Sequence, residues 1–285
     1  MTIEIPAPAK VNLALHVVGR RPDGYHLLDS IVAFASAGDR IRVEPAEDLS
    51  LSVEGPFASA LAGEADNLVL RAARLLQAEL IDLERPAPGA RIVLDKSLPV
   101  ASGIGGGSAD AAATLVALDR LWHADFGTER LARLGGRLGA DVPMCVIGRA
   151  ARVGGIGEVV EPLGPLPAFD LVLVNPGRPL ATPDVFQLLE RRDNPPLPAP
   201  PSRFETLDTL VGYLASARND LTDAARRLVP EIGSVLDRLA ADPACRLARM
   251  SGSGATCYAL ADPGRGAGIA ERVGGAEPGW WVSAG

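Results

Sequence analysis

The chain has 285 residues, 47% apolar and 22% charged, with 28 Lys and Arg against 35 Asp and Glu and a formal net charge of −7. This length and composition suit a folded protein of one large or two ordinary domains and exclude a disordered or fibrous chain. The acidic balance and the absence of clustered Lys and Arg argue against nucleic acid or an anionic membrane surface as a partner. Cys145, Cys245 and Cys257 have no CxxC spacing and make no metal-ligand pattern with His16, His26 and His123. They read as free thiols in a reducing compartment. The N-terminal residues lack a basic start followed by an apolar stretch, and no apolar run reaches the roughly 18 residues that span a bilayer. A cytoplasmic location is expected.

In chain order, alternating segments bounded by Pro, Gly and Asp turns predict strands over 2–7, 11–17, 30–35, 40–43 and 49–53, part of a mostly antiparallel sheet. Asn67 is an acceptable N-cap for a helix through Leu68, Leu70, Ala73, Leu75 and Leu76, and 91–94 reads as a buried strand. A glycine loop follows, then an alanine-rich helix to Trp122 and a second helix over 128–138 with Thr128 as N-cap. Strands are predicted at 152–153, 159–160 and 171–174. Thr182-Pro183 reads as N-cap and first helical residue, and the proline-rich 193–201 must be an exposed loop. From Phe204 the pattern is helical to about Leu239, then strand (247–250), glycine turn, strand (256–261), helix (266–273) and strand (280–282). This order predicts a second lobe built of an antiparallel sheet and two helices.

The glycine loop carries the strongest chemical signal. Three consecutive glycines, Gly105-Gly106-Gly107, precede a helix, so main-chain N–H groups can converge on an anion without Cβ obstruction. The stretch does not match GxxxxGK[ST], since no lysine follows a glycine, nor GxGxxG, since Ser108 stands at the last position counted from Gly103. A GxSxG elbow fails at Ser108 and at Ser253. Only two of the basic residues are lysines, Lys10 and Lys96. In a chain that otherwise uses arginine, those positions read as places that need an ammonium.

The stretch Pro99-Val100-Ala101-Ser102-Gly103-Ile104-Gly105-Gly106-Gly107-Ser108-Ala109 resembles the phosphate loop of the galactokinase, homoserine kinase, mevalonate kinase and phosphomevalonate kinase superfamily, the GHMP kinases. Pro8-Ala9-Lys10-Val11-Asn12-Leu13 and Asp23-Gly24-Tyr25-His26 resemble the signature of the branch whose acceptor is an alcohol carrying cytidine diphosphate, used in isoprenoid precursor synthesis. Matching segments continue at Asp66-Asn67-Leu68, Asp95-Lys96, Leu138 to Pro143, Asn175-Pro176-Gly177 and Ser251 to Ala255, so the likeness spans nearly the whole chain. Ala101-Ser102 depart from it at positions that are often glycine.

The resemblance implies an α+β, two-lobed GHMP kinase fold. Its N-terminal mixed α/β lobe, residues 1–154, carries the glycine-rich loop and binds ATP. Its C-terminal ferredoxin-like antiparallel-sheet lobe, residues 155–285, closes the substrate cleft. The implied reaction moves the γ-phosphate of ATP, brought as its magnesium complex, to the alcohol. Asp141 would accept the hydroxyl proton and Lys10 would supply positive charge, as phosphoryl transfer requires. Tyr25, His26 and Phe186 would hold the cytosine, Asn12 and Thr182 the rest of the acceptor, and Asn67 and Lys96 the adenosine. No pair of carboxylates marks a magnesium site. Another small alcohol as acceptor, or a nucleotide-binding module without activity, are the competing readings; the first is opposed by Asp23 to His26, the second by Lys10, Asp141 and the intact loop.

Overall fold

A computed structural model describes residues 1–63 and 66–285. The chain forms two compact units, each assembled from separate stretches. The first takes Met1–Ala9, Gly38–Val100 and Gly105–Gly148, the second Lys10–Ala37, Ala101–Ile104 and Arg149–Gly285. Two long strands, β1 (Ile3–Arg20) and β2 (His26–Ala46), contribute to both. Each was expected as two short strands. Pro6 and Pro8 suggest a break in β1, but they alternate outward with buried Ile5, Ala7 and Ala9. Two residues apart, they present their missing donors to one edge, which a strand paired with β2 can leave unbonded.

In the first unit, β3 (Ser50–Glu54) runs parallel to β4 (Gly89–Asp95), and β4 runs antiparallel to Arg40–Ala46 of β2. The helices are α1 (Leu68–Asp82), α2 (Gly106–Leu121), α3 (Gly127–Gly136) and α4 (Val142–Ile147). Asn67 caps α1 as expected, its side chain accepting the Val69 N–H at 2.9 Å. Thr128 does not cap α3, because that helix already begins at Gly127. The short α4, directly after Asp141, was not expected. Ile41, Val43, Ile92 and Leu94 of the strands pack with Leu76 of α1 and Leu115 and Leu118 of α2. Each such side chain contributes about 1.5–3 kcal/mol when fully buried, and the alanines of α2 let it lie close to α1.

The second unit pairs residues 28–32 of β2 with β5 (Ala151–Gly155), which pairs in turn with β6 (Val159–Pro162). β7 (Asp170–Asn175), β8 (Cys245–Met250), β9 (Cys257–Ala261) and β10 (Trp281–Ala284) form an antiparallel sheet in the order β10-β7-β9-β8. α8 (Glu231–Ala240) and α9 (Gly266–Ala276) pack against it, giving the β7-α8-β8-β9-α9-β10 sequence of a ferredoxin-like layer. The expected single helical run from Phe204 is three helices: α8 is preceded by α6 (Leu207–Ala215) and α7 (Thr222–Leu228), and α5 (Thr182–Gln187) lies further upstream. The break before α7 contains Asn219, whose amide donates to the Met250 and Gly252 carbonyls, both at 2.8 Å. No helix among the described residues is long and apolar enough to cross a membrane.

The proline-rich segment is a loop, but it is tied down. Asp29 receives Arg152 through both carboxylate oxygens, at 2.8 and 2.7 Å, and also the Leu197 N–H at 2.8 Å. His16 Nδ1 bonds the Pro195 carbonyl at 2.9 Å while its Nε2 accepts the Arg218 N–H at 3.1 Å. Leu197 is thereby buried among exposed neighbours. Asp29→Ala removes the carboxylate shared by Arg152 and the Leu197 N–H, leaving Arg152 only the Leu197 carbonyl at 3.2 Å, and should destabilise the chain by about 1–3 kcal/mol. Limited proteolysis checks this. Cleavage within 193–201 should accelerate ahead of global unfolding, and an unchanged cleavage pattern would show that the loop does not depend on Asp29.

Candidate active site

The loop from Pro99 to Ala109 bends through left-handed backbone at three residues, Ala101 (φ 51°), Gly103 (φ 75°) and Gly105 (φ 64°). Gly105 is the N-cap of α2 and has no capping side chain. The first helical bond runs from the Ala109 N–H to the Gly105 carbonyl at 2.9 Å. Helix geometry therefore leaves the N–H groups of Gly106, Gly107 and Ser108 without an intrahelical acceptor. They sit at the positive end of a 16-residue helix dipole, an arrangement that suits phosphate oxygens.

Elsewhere in the first unit, a cavity of about 460 Å³ is lined by Leu51, Val53, Ala58, Leu61, Asn67 and Leu70. Its lining combines apolar side chains with polar groups, among them the Asn67 side chain at the start of α1, a mixture that a heteroaromatic base can use. Lys96, expected beside the adenosine, is otherwise engaged: its ammonium is buried and bonded to Asp39 at 2.5 Å and Asp110 at 2.8 Å. Burial opposes its charge, but the two carboxylates prevail and hold the Lys96 ammonium above its usual range. Its main-chain N–H and carbonyl are used as well, by Glu54 and Phe57. Asp141 lies half-buried at the N-cap of α4, its carbonyl accepting the Cys145 N–H and its side chain making no cap bond.

In the second unit, residues 101–104 meet the Ser251 to Gly254 turn. A Cβ on Gly103 would stand 2.5 Å from the Gly254 oxygen, and one on Gly252 would stand 2.5 Å from the Gly103 oxygen. Only glycine permits that approach. Ser251 clasps it, accepting the Asn12 N–H at 3.1 Å and donating its hydroxyl to the Gly103 carbonyl at 3.1 Å. Lys10 is fixed at both ends: its N–H donates to the Ile104 carbonyl at 2.9 Å and its buried ammonium to Asn12 Oδ1 at 3.1 Å. The Asn12 amide also donates to Ser30 at 2.7 Å, so this residue orients Lys10. Thr182, at the first position of α5 and not its N-cap, bonds the Ser253 hydroxyl at 2.8 Å.

His26 and Phe186 come together, their rings stacked with centroids 4.6 Å apart and planes 21° from parallel. At that separation no base fits between them. Tyr25 is 62% exposed and packs on neither. Burial, then the charges of Arg20 and Arg192, lower the pKa of His26, which keeps the ring neutral near pH 7. Its Nε2 is buried with no hydrogen-bond partner, as is Nε of Arg192. Arg192 was not singled out from sequence; it lies between the end of α5 and the proline-rich loop, and nothing in its local pattern distinguishes it from surface arginines.

The models of known families agree with this geometry. "GHMP kinases N terminal domain" matches residues 67–149 and "GHMP kinases C terminal" matches residues 203–277. A 4-diphosphocytidyl-2-C-methyl-D-erythritol kinase of Cereibacter sphaeroides is 55% identical over 97% of this chain and 96% of its own. The crystal structure of a 4-(cytidine 5'-diphospho)-2C-methyl-D-erythritol kinase superposes with a TM-score of 0.78 at 37% identity, covering 99% of this chain and 98% of that one. A homoserine kinase from Cytophaga hutchinsonii, with a TM-score of 0.71 at 18% identity over 99% of this chain and 94% of its own, shares the fold. The chain belongs to the GHMP kinases and, within them, to the 4-diphosphocytidyl-2-C-methyl-D-erythritol kinase family.

The turn predicts opposite results at two neighbouring positions. Gly103→Ala places a methyl 2.5 Å from the Gly254 oxygen in left-handed backbone and should cost several kcal/mol of stability and most of the activity, in line with about 1–3 kcal/mol for strain alone. Ala101→Gly relieves a left-handed alanine and should leave melting temperature equal or higher. Thermal unfolding of the two variants tests both; a Gly103→Ala protein as stable as the parent would refute the close approach.

Proposed function

We propose that the chain transfers the γ-phosphate of ATP to the 2-hydroxyl of 4-diphosphocytidyl-2-C-methyl-D-erythritol, a step of the non-mevalonate route to isoprenoid precursors, in the cytoplasm. The observation that carries the ATP half is the uncapped, glycine-bent start of α2. The Gly106, Gly107 and Ser108 N–H groups take phosphate oxygens, and the cavity beside Asn67 takes the adenine. Magnesium accompanies ATP. Among the described residues no three His, Cys, Asp or Glu side chains converge as a metal site, and magnesium's part is to neutralise charge on the nucleotide's phosphates.

Asp141 accepts the proton of the attacking hydroxyl, whose own pKa is far too high for ionisation at neutral pH. Lys10, oriented by Asn12, supplies positive charge to the transferring group. The cytidine end is read by His26, a neutral ring with a buried unpartnered nitrogen, held by stacking on Phe186, while the exposed ring of Tyr25 covers the base. Thr182 contacts the methylerythritol diphosphate.

Asp141→Asn should lower kcat about 10²–10⁴-fold with ATP affinity retained; steady-state kinetics that leave more than a tenth of the rate would remove Asp141 as base. Phe186→Ala releases the His26 ring from its stack and should raise KM for the cytidylyl substrate roughly 2- to 10-fold while leaving KM for ATP unchanged. The uridine analogue reverses donors and acceptors on the base edge and should be used poorly. Equal kcat/KM for the two nucleotides would overturn the cytidine reading. Lowering the pH through the depressed His26 range charges that ring, so KM for the cytidylyl substrate should rise on the acid side of about pH 6.5.

A further inference from the structure

Beneath the first turn of α2 lies a closed group of three charged side chains. Lys96 Nζ donates to Asp39 Oδ2 at 2.5 Å and to Asp110 Oδ2 at 2.8 Å, and all three residues are buried. Asp39 also receives the N–H groups of Ser97 at 2.6 Å and Leu98 at 2.8 Å on its other oxygen. Asp110 is served less well: its Oδ1 is buried with no partner. One ammonium cannot neutralise two carboxylates. Fully ionised, the group would carry one net negative charge away from water, which is costly.

The group lies where charge matters to the ligand. A Cβ on Gly106, the first residue of α2, would stand 3.0 Å from Lys96 Nζ and 3.6 Å from Asp39 Oδ2. A net negative charge there offsets the positive potential of the helix N-terminus and so opposes any anion at the same N–H groups. Burial pushes the Asp110 carboxyl up to about 7; the Lys96 ammonium opposes this and the Asp39 charge adds to it. Those two are the charged groups that act on Asp110 most. α1 and α4, which also pack on α2, bring apolar Ala72, Ala73, Leu76 and Val142 to the shared core, and α3 brings Leu131 and Leu134.

We propose that Asp110 is a positioning residue whose proton is part of ATP binding: its carboxyl is protonated in the ATP complex, and its ionisation weakens the hold of Gly106, Gly107 and Ser108 on the triphosphate. This rests on the reading of that turn as the phosphate site. Above neutrality the ligand-free chain carries Asp110 as carboxylate, and binding ATP draws one proton from the solvent onto it. By reciprocity, removing that proton loosens ATP. The carboxylic acid keeps its bond to Lys96 through the carbonyl oxygen, and the cluster becomes neutral.

The test is isothermal titration of ATP, with magnesium in excess, into the full chain between about pH 6.5 and 8.5, in two buffers of different ionisation heat. Wild type should take up a fraction of a proton per ATP, rising above neutrality, and bind ATP on the order of 5-fold more weakly at the alkaline end. Asp110→Asn keeps the shape and cannot ionise, so its affinity should be flat with pH and its proton uptake absent. Identical pH dependence in the two proteins overturns the proposal. If the variant does not fold, zero proton uptake by wild type above neutrality overturns it by itself. No binding of ATP by wild type at any pH would instead overturn the phosphate reading of the turn, and this proposal with it.

Discussion

Two glycine-containing turns pass so close at Gly103 and at Ser251 to Gly254 that neither tolerates a Cβ there, and the chemistry of the second unit is arranged around that approach. Ser251 links the Asn12 N–H to the Gly103 carbonyl, and the Thr256 N–H donates to the Ser102 carbonyl at 3.1 Å. Both polar faces of the contact are thus satisfied without water, which a buried main-chain contact needs. Lys10 inherits its place from it, since its main-chain N–H is bound to Ile104 and its ammonium to Asn12. A cation on a long flexible stem keeps a defined position only when the stem is immobilised, since the free side chain has many rotamers.

The two lysines illustrate how this chain spends its cations. Its arginines lie mostly at the surface, in pairs such as Arg246 with Asp262 and Arg178 with Glu231; exposed pairs of this kind contribute little. Lys10 and Lys96 are both buried. A compact ammonium with three rotatable donors fits between Asp39 and Asp110, where a planar guanidinium would need a wider, fixed geometry. One lysine is bonded to Asn12 in the second unit and the other lies beneath the first turn of α2 in the first.

The surroundings of His26 differ from the expected arrangement. An aromatic on each face of the base was anticipated, yet Phe186 gives one face to His26. The consequence is a neutral imidazole, immobilised by stacking and depressed in basicity by burial and by two arginines, with its Nε2 buried and unpartnered.

By itself the sequence determined the strands and the last helix of the ferredoxin-like layer, the Asn67 cap and the glycine-rich start of α2, and it singled out Lys10 and Lys96. All of these are written in local patterns: period two, period 3.6, a capping amide, three glycines before a helix, two lysines among arginines. Tertiary structure decided the rest. The continuity of β1 through Pro6 and Pro8 depends on which edge stays unpaired. Thr182 turns to Ser253 and Lys96 to Asp39 and Asp110, and Arg192 lies near His26, because partners far along the chain meet there. The chain also crosses between its units after Ala9, Ala37, Val100, Ile104 and Gly148, and no change of composition marks those points. Local patterns record what a segment does with its own backbone. Which buried charge meets which carboxylate is settled by the cost of leaving either one unpaired, and that cost exists only after the chain has closed around them.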